Sequence, residues 1–155
     1  MDKTINLVVE LLKVKLRERI KTFYIGDPIL IPESAMPCIS VSPESSNINV
    51  ADNQRDLRTH KLQIAIIIDA RKYFNTAPTE MVGTKFLTEL MSKELDDGSI
   101  EPSSILGIIR DNLTLSTNRS VSNEVNIDYT TRRRTEDLIT LEAIMTLEIN
   151  HFSNR

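Results

Sequence analysis

The stretch that decides the fold is residues 23–69, which reads FYIGDP at 23–28, PCISVSPE at 37–44 and LQIAIIID at 62–69. In the second and third segments, apolar residues alternate with small or polar ones, which is the two-residue period of a strand. The first segment contains Gly-Asp-Pro, a strong turn signal. The sequence therefore predicts that strands joined by turns form the body of this protein.

Two strands are predicted within this stretch. The first occupies residues 38–42, and the chain extends it after a break at Pro43. The second runs over residues 59–69 and has one apolar face, formed by Leu62, Ile64, Ile66 and Ile68. Its reverse face is of mixed polarity, so we expect that face to be partly covered. The polar and charged residues between the strands, 52–58, are predicted to form an exposed loop.

A helix is predicted on each side of these strands. Apolar residues recur at three- and four-residue steps over residues 3–22, the mark of an amphipathic helix. Its outer face is basic and carries Lys13, Lys15, Arg17, Arg19 and Lys21. A second helix is predicted to begin near Thr76 or Pro78, where a hydroxyl cap is followed by a proline. It is predicted to end at residues 96–98, which read Asp-Asp-Gly.

The segment after the second helix gives weaker signals. Residues 105–109 form a short apolar run, in which Gly107 argues against a regular element. A short strand is predicted at 113–117, followed by a polar loop over residues 118–123. This part of the chain is therefore predicted to be mostly irregular.

The last two predicted strands, 125–129 and 138–150, form a long C-terminal β-hairpin around a charged tip at 131–137. The predicted fold class is α+β, a single domain over residues 1–155 with a mostly antiparallel sheet and two helices packed on one face. The long strands exceed what two helices can cover. We therefore expect their ends to project from the body and to pair with or pack against a neighbour.

This order of elements resembles the small tail-terminator (tail-completion) proteins of long-tailed bacteriophages. The resemblance lies in the layout of residues 5–150: a basic helix, a turn, a strand between prolines, a polar excursion, a long alternating strand and a second helix. It implies a structural virion protein at the junction of tail and neck, made in the host cytoplasm. Such proteins form a ring, which the resemblance implies to be hexameric, that caps the tail tube, ends its polymerisation and offers a docking face to the head connector.

Composition limits the other classes of function. The chain has 155 residues, of which 19 are basic and 22 acidic, for a net charge of −3. Nucleic-acid binding over a whole surface needs a clear basic excess, so only a local basic patch stays open. The single cysteine, Cys38, cannot form an internal disulfide and is predicted to be a small buried residue. No run approaches the roughly 20 apolar residues of a membrane span, so we expect no membrane partner.

Candidate catalytic and metal-binding residues are isolated in the sequence. The two histidines, His60 and His151, have no metal ligand at a useful spacing and are predicted to be surface residues. The four glycines are dispersed and do not form a phosphate loop. The carboxylate pairs at 96–97 and 136–137 fall at a helix end and a hairpin tip, away from any predicted pocket. We therefore expect no catalytic residue, no cofactor and no metal, and the protein is predicted not to be an enzyme.

Two charged segments supply the candidate interface residues. They are Arg132, Arg133, Arg134, Glu136 and Asp137 in the hairpin tip, and Arg55, Asp56 and Arg58 in the predicted loop. The simplest interpretation of each is a solvated turn, so the tip arginines are expected to be exposed and of little weight in stability. The functional interpretations are complementary charges across a subunit boundary, or arginines facing the phosphates of DNA inside a ring. The mixed signs favour the first, and the two segments are expected to meet in an oligomer.

Two alternatives stay open on the sequence. A head-completion or stopper protein of the phage neck has similar size and ring symmetry. A small ligand-binding or enzymatic α+β domain, with its pocket between sheet and helices, belongs to a different class. Oligomeric state separates the classes, because a ring favours the structural proteins and a monomer with a ligand-filled cleft favours the other.

Overall fold

The computed structural model describes residues 1–74 and 82–154, which form a single sheet with helices packed on it. The elements are α1 (Asp2–Leu16), β1 (Thr22–Ile25), β2 (Cys38–Val50), β3 (Arg55–Asp69), α2 (Ala70–Phe74), α3 (Val82–Ser92), α4 (Ile105–Asp111), β4 (Thr114–Ser116), β5 (Arg119–Arg133) and β6 (Ile139–Asn154). The strand order is β1-β2-β3-β6-β5-β4. β1 is parallel to β2, and the other neighbours are antiparallel. The predicted α+β class, mostly antiparallel sheet and long C-terminal hairpin of β5 and β6 are confirmed.

One face of the sheet, the helix-covered face, carries the main hydrophobic core. Leu12 and Leu16 of α1 are fully buried in one cluster with Ile64 of β3 and Met145 of β6. Burying each such side chain contributes about 1.5–3 kcal/mol. Residues of α3 and α4 belong to the same cluster. The sequence predicted two helices on this face, and α4 joins α1 and α3 there.

The other face is covered by the connection between β1 and β2, and we call it the loop-covered face. Ile31 and Met36 of this connection pack in a second cluster with Cys38, Ile67 and Leu138. Near its C-terminal end β3 is covered on both faces, and its loop-covered face there carries the apolar residues Ala65 and Ile67. The mixed polarity of that face in the sequence correctly predicted partial coverage.

The strands extend beyond both covering layers, as predicted. β2 has 13 residues and β3 has 15, and they pair along nearly their whole lengths. Every residue from Pro43 to Val50 is exposed. A register shift between Pro43 and Ser45 lets β2 continue through the proline at which the sequence predicted a break. The projecting part of β2 is held by backbone pairing with β3, and its own side chains are exposed on both faces, although His60 and Leu62 of β3 beside it are buried.

Two predicted loops are therefore strands. Residues 55–58 begin β3, and residues 119–123 begin β5. No side chain of residues 55–58 is buried, and in 119–123 only Val121 and the charged Arg119 are, so neither segment has the run of alternating apolar residues that reveals a strand. α1 ends at Leu16, earlier than predicted, although Ile20 beyond it is still buried.

The apolar run after the second helix is itself a helix, α4. Ser104 caps it by accepting a hydrogen bond from the backbone N–H of Gly107 at 3.2 Å. The predicted start of the second helix, at Thr76 or Pro78, lies outside the described residues. α3 ends at Ser92, and Gly98, with φ of 82°, belongs to a separate turn.

Gly107 lies inside α4 because of a close approach rather than a turn. A Cβ at this position would lie 2.8 Å from the Cα of Pro102 and would also clash with the carbonyl oxygen of Glu101. In an open helix, Gly to Ala stabilises by up to about 1 kcal/mol. We predict that Gly107→Ala instead lowers the free energy of unfolding, by about 1–3 kcal/mol, as overpacking does. Urea denaturation measures it, with Arg110→Ala on the exposed side of α4 as the near-neutral control. A stabilised Gly107→Ala variant would contradict the close approach.

Candidate assembly surfaces and charged clusters

The hairpin tip contains a buried ion pair that the sequence did not indicate. Arg134 follows the last residue of β5, and its side chain is only 3% exposed. It donates two parallel hydrogen bonds to Glu142 of β6, from Nε to Oε2 at 3.1 Å and from Nη2 to Oε1 at 2.9 Å. Glu142 is 1% exposed and also accepts from the Thr140 hydroxyl at 2.6 Å. This bidentate geometry is the strong form of an arginine–carboxylate contact.

The same arginine ties the hairpin to the turn after β1. Nη1 of Arg134 donates to the carbonyl oxygen of Pro28 at 2.8 Å, and Nη2 lies 3.2 Å from Oδ1 of Asp27. Arg132 adds a bond from Nη1 to Oδ2 of Asp27 at 3.1 Å. We call Arg132, Arg134, Asp27 and Glu142 the arginine clasp. It joins two segments that are about a hundred residues apart in sequence.

The charges of the clasp support one another. Burial lowers the pKa of Arg134, but the hydrogen bonds and charge of Glu142, with those of Asp27, more than offset it, so its pKa is raised overall. Arg134 therefore stays charged in its buried position. The expectation that all three tip arginines form a solvated turn is wrong for Arg134.

The remaining tip residues are exposed, as predicted. Arg133, Glu136 and Asp137 are solvent-accessible, and Arg133 donates a hydrogen bond to the carbonyl oxygen of Glu136 at 3.2 Å. Arg132 is half exposed although it reaches Asp27. The outward part of the tip therefore has mixed charge, and whether it is an interface stays a prediction.

We predict that Arg134 and Arg133 differ sharply in their contribution to stability. Arg134→Ala leaves Glu142 buried without its main partner, and breaking a buried pair costs about 3–5 kcal/mol. Arg133→Ala removes an exposed side chain and should stay within about 0.5 kcal/mol. Chemical denaturation of the two variants measures both effects. Equal stability of the two variants would show that the clasp does not contribute to folding.

The second candidate segment lies at the opposite end of β3. Asp52 closes the turn between β2 and β3 by accepting the backbone N–H groups of Gln54 and Arg55, each at 2.8 Å. Its pKa is lowered, first by the Gln54 N–H and then by the Arg55 side chain, whose Nη2 lies 2.8 Å from Oδ2. Arg58 donates from Nε to the Ser153 hydroxyl of β6 at 3.0 Å. These contacts organise the end of the projecting sheet.

The structure does not bring the two candidate segments together within one subunit. Arg55 pairs with Asn154 at one end of the β3–β6 ladder, and Asp69 pairs with Thr140, next to the hairpin tip, at the other. Asp56 lies beside Arg55, opposite Ser153, and also makes a contact of its own. A meeting of the two segments across subunits of an oligomer stays a prediction.

The histidines form a second cluster, near the N-terminus of α1. His60 was predicted to be a surface residue, but it is only 2% exposed, because it lies on the helix-covered face of β3, two residues before the buried Leu62. Its Nδ1 lies 2.8 Å from the Ser46 hydroxyl, and its Nε2 is buried without a hydrogen-bond partner among the described residues. The centre of the His151 ring lies 5.9 Å from that of His60, and His151 belongs to β6, which continues past its predicted end at residue 150.

Cations surround this histidine pair. Burial, followed by the positive charges of the N-terminus, His151, Arg58 and Arg119, lowers the pKa of His60 to about 4. Burial and the charges of Arg119 and Arg58 also lower the pKa of His151. Both rings are therefore neutral at neutral pH. This makes the pair an acid-sensitive part of the fold.

We predict that His60 destabilises the protein as the pH falls. The unfolded chain binds a proton at this side chain near pH 6.5, while the folded chain does so only near pH 4. Between these values the unfolded state holds more protons, so stability is complete above pH 6.5 and is lost as pH falls towards 4. The loss is up to about 3 kcal/mol. Urea denaturation at a series of pH values measures it.

The control for this prediction is His60→Gln, which keeps a polar side chain but cannot titrate. Its free energy of unfolding should depend less on pH in the same window. An identical pH dependence in the two proteins would assign the acid effect to other groups.

Cys38 is buried, as predicted, on the loop-covered face. Burial raises the pKa of its thiol to about 12, and the charges of Arg134 and Glu142 act in opposite directions. The thiolate, which is the nucleophile, is therefore negligible at neutral pH. Within residues 1–74 and 82–154, no group of three His, Cys, Asp or Glu is placed to hold a metal ion.

Exposed apolar side chains, which the sequence analysis did not single out, lie beside the hairpin tip. Ile29 is 88% exposed and Leu30 is 72% exposed, both in the connection after β1. An open cleft of about 430 Å³ separates Leu30 and its neighbours from Thr135 and Asp137 of the tip. The signal was present in the sequence as an apolar pair between two prolines, but its exposure depends on how the connection crosses the sheet.

No protein-family model matches the chain. A search of curated proteins also finds no match. None of the described helices is long and apolar enough to cross a membrane.

Proposed function

We propose that this protein is a tail terminator of a long-tailed bacteriophage. It assembles as a ring at the junction of tail and neck, caps the tail tube, ends its polymerisation and presents a docking face to the head connector. Its partners are copies of itself, the tail tube protein and the connector, and DNA passes through the lumen. The proposal rests first on the resemblance of the element order to that family.

The observation that carries the proposal is the projecting part of the sheet. A self-sufficient small domain ends its strands where its core ends, because an exposed strand edge invites pairing with other chains. Here residues 43–50 of β2 are exposed on both faces, and β3 continues beside them. A ring subunit has a use for such surplus strand, since each subunit must offer two different edges to its neighbours.

The hairpin tip and the neighbouring apolar loop supply a candidate docking face. Arg133, Glu136 and Asp137 give it charges of both signs, and Ile29 and Leu30 give it an apolar centre. Interfaces commonly combine an apolar centre with a polar rim. This face lies at the end of the sheet opposite the β2–β3 turn, so the two ends of the subunit are chemically different. A protein that joins tube to connector needs that difference.

We predict that the triple variant Arg133→Ala, Glu136→Ala, Asp137→Ala impairs assembly without changing the fold. These side chains lie outside the buried part of the clasp, so the melting temperature should stay almost unchanged. Mass photometry of the protein alone and with tail tubes should show weakened ring formation or weakened tube capping. Electron microscopy of phage carrying the variant should show overlong tails or unjoined heads and tails.

The matched control is Lys15→Ala, Arg17→Ala, Lys21→Ala, which removes three exposed charges from α1 and the residues after it. This control should assemble like the unchanged protein. If the tip variant forms normal rings but retains DNA poorly, Arg133 faces the DNA in the lumen and does not act at a subunit interface. A protein that stays strictly monomeric and ignores tail tubes would overturn the proposed function.

A further inference from the structure

Two edges of the sheet are open, and they lie on opposite sides of the molecule. On one side, β1 pairs only with residues 38–41 of β2, so the outer edge of β2 is unpaired from Pro43 onward among the described residues. On the other side, β4 pairs with β5 only near Arg119 and Ser120, so within residues 1–74 and 82–154 no strand pairs with the outer edge of β5 over most of its length up to Arg133. Natural proteins usually cover, shorten or charge such edges.

The backbone groups that point outward can be assigned on both strands. Ala51 donates its N–H to Arg55 across the β2–β3 ladder, and hydrogen-bonded and non-bonded pairs alternate along an antiparallel ladder. Ser46, Ile48 and Val50 therefore direct their N–H and C=O groups away from β3. These three residues present free donors and acceptors at the edge.

The same argument applies to β5. Arg134 donates its N–H to Leu138 across the β5–β6 ladder, so the odd-numbered residues from 125 to 133 point their backbone groups outward. At the other end of the strand, Val121 donates outward to Leu113. The outward backbone groups of β5 therefore lie on the same edge with which β4 pairs at the start of the strand.

The side chains of both outward rows lie on the same face. Ile48 is in register with Arg58 and His151, on the helix-covered face, and Ile127 is in register with Met145 on that face too. Residues that exchange backbone hydrogen bonds across an antiparallel pair must have their side chains on one face. The two edges therefore match if the helices of neighbouring subunits lie on the same side of a continuous sheet. Strand direction agrees, because β2 and β5 run in opposite directions within the sheet.

One register also matches the side chains. With Ile48 opposite Ile127, Val50 faces Val125, which gives two β-branched apolar pairs. Glu44 then lies near Arg132 and Arg133, so the charges at that end are complementary. Within one subunit, Ile48 lies level with Arg58 of β3, and Ile127 lies level, through Met145, with Ile64 of β3. The two residues that meet in this register are therefore offset by six residues along the strand direction.

That offset fits rotational closure. Six residues span roughly 20 Å at about 3.3 Å each, and the four strands of each repeat span roughly 19 Å at about 4.8 Å each. A subunit that repeats with this offset has strands tilted by about 45° to the ring axis. Closed barrels have strand tilts of about 35–45°.

We propose that the outer edge of β2 pairs, antiparallel, with the outer edge of β5 in a second copy of this chain, with Ile48 opposite Ile127. The contact is heterologous, so repetition closes the sheets into one tilted barrel that lines a ring. This inference deepens the proposed function and rests on it for the closure of the ring. The open β2 edge of one copy is thus covered by the open β5 edge of the next copy.

Cysteine cross-linking tests the contact. Ile48→Cys and Ile127→Cys are purified separately and then oxidised alone and as a mixture, while native Cys38 is buried and unreactive. The mixture should form a covalent dimer that neither protein forms alone, and the double variant should form a ladder ending at the size of the ring. The control pair, Val14→Cys with Ile127→Cys, should not cross-link, although Val14 is 70% exposed on α1.

A second experiment isolates the backbone. Ile48→Ala keeps the outward N–H and should still form rings, whereas Ile48→Pro removes that N–H and should abolish them. Circular dichroism should show that both monomers keep the native fold, since this residue lies beyond the core.

Three results would overturn the inference. Dimers of Ile48→Cys alone would show a two-fold contact between β2 edges. Rings that assemble but never cross-link at these positions would exclude the edge contact and leave the proposed function standing. A strict monomer, with or without tail tubes, would remove both.

Discussion

The pairing of β3 with β6 is the constraint on which the rest of the structure depends. The two strands are in unbroken register over 15 residue pairs, from Arg55 opposite Asn154 to Asp69 opposite Thr140. At one end of this ladder the helices and the β1–β2 connection bury both faces. At the other end, beyond the buried pair of His60 and Ile149, the side chains of both strands are exposed or half-buried, and the strands are held by backbone hydrogen bonds and by local contacts such as Arg58 with Ser153. Stability is therefore concentrated in one half of the sheet. Contact with a neighbouring subunit is the natural way to stabilise the other half.

The arginine clasp shows how the covered end is locked. A buried ion pair is seldom a net source of stability compared with apolar packing, because desolvation costs as much as the attraction gains. What the pair of Arg134 and Glu142 adds is geometry, since the fork of the guanidinium accepts only one arrangement of Glu142, Asp27 and the Pro28 carbonyl. The clasp fixes the β1–β2 connection against the hairpin and so holds Ile29 and Leu30 in an exposed position. The docking face proposed above, made of a loop and a hairpin tip, would need such a fixed relation between its two parts.

The sequence predicted the covered half of this fold far better than the projecting half. The alternation of Leu62, Ile64, Ile66 and Ile68 exists because one face of β3 meets the core, and it identified both strand and face. Residues 55–58 bury no side chain, and residues 119–123 bury only Arg119 and Val121, so burial left no apolar alternation in either segment. The candidate site shows the same limit. The charge of Arg134 was evident, but its burial depends on Glu142, across the hairpin, and on Asp27, which is distant in sequence and meets it only through the topology. His60 was misjudged because its residue type does not reveal that the buried face of β3 extends two residues before Leu62.

The two open edges of the sheet, on β2 and β5, leave backbone hydrogen-bonding groups that no described strand of the same chain pairs with. Edges of this length usually carry devices that prevent association, such as inward charges, prolines or bulges. β2 has a proline and a bulge at its Pro43–Ser45 step, but Ile48 and Val50 beyond it are exposed β-branched residues, the type most compatible with strand pairing. The proline and the bulge, which discourage strand pairing, thus lie next to the part of β2 that β1 covers. Ile48 and Val50, which favour pairing, lie where the edge is unpaired among the described residues. This distribution favours a single partner in a single register over indiscriminate aggregation. Because β2 and β5 differ in sequence and lie on opposite sides, such a partner extends the sheet in one direction, and only rotation can bring that extension to an end.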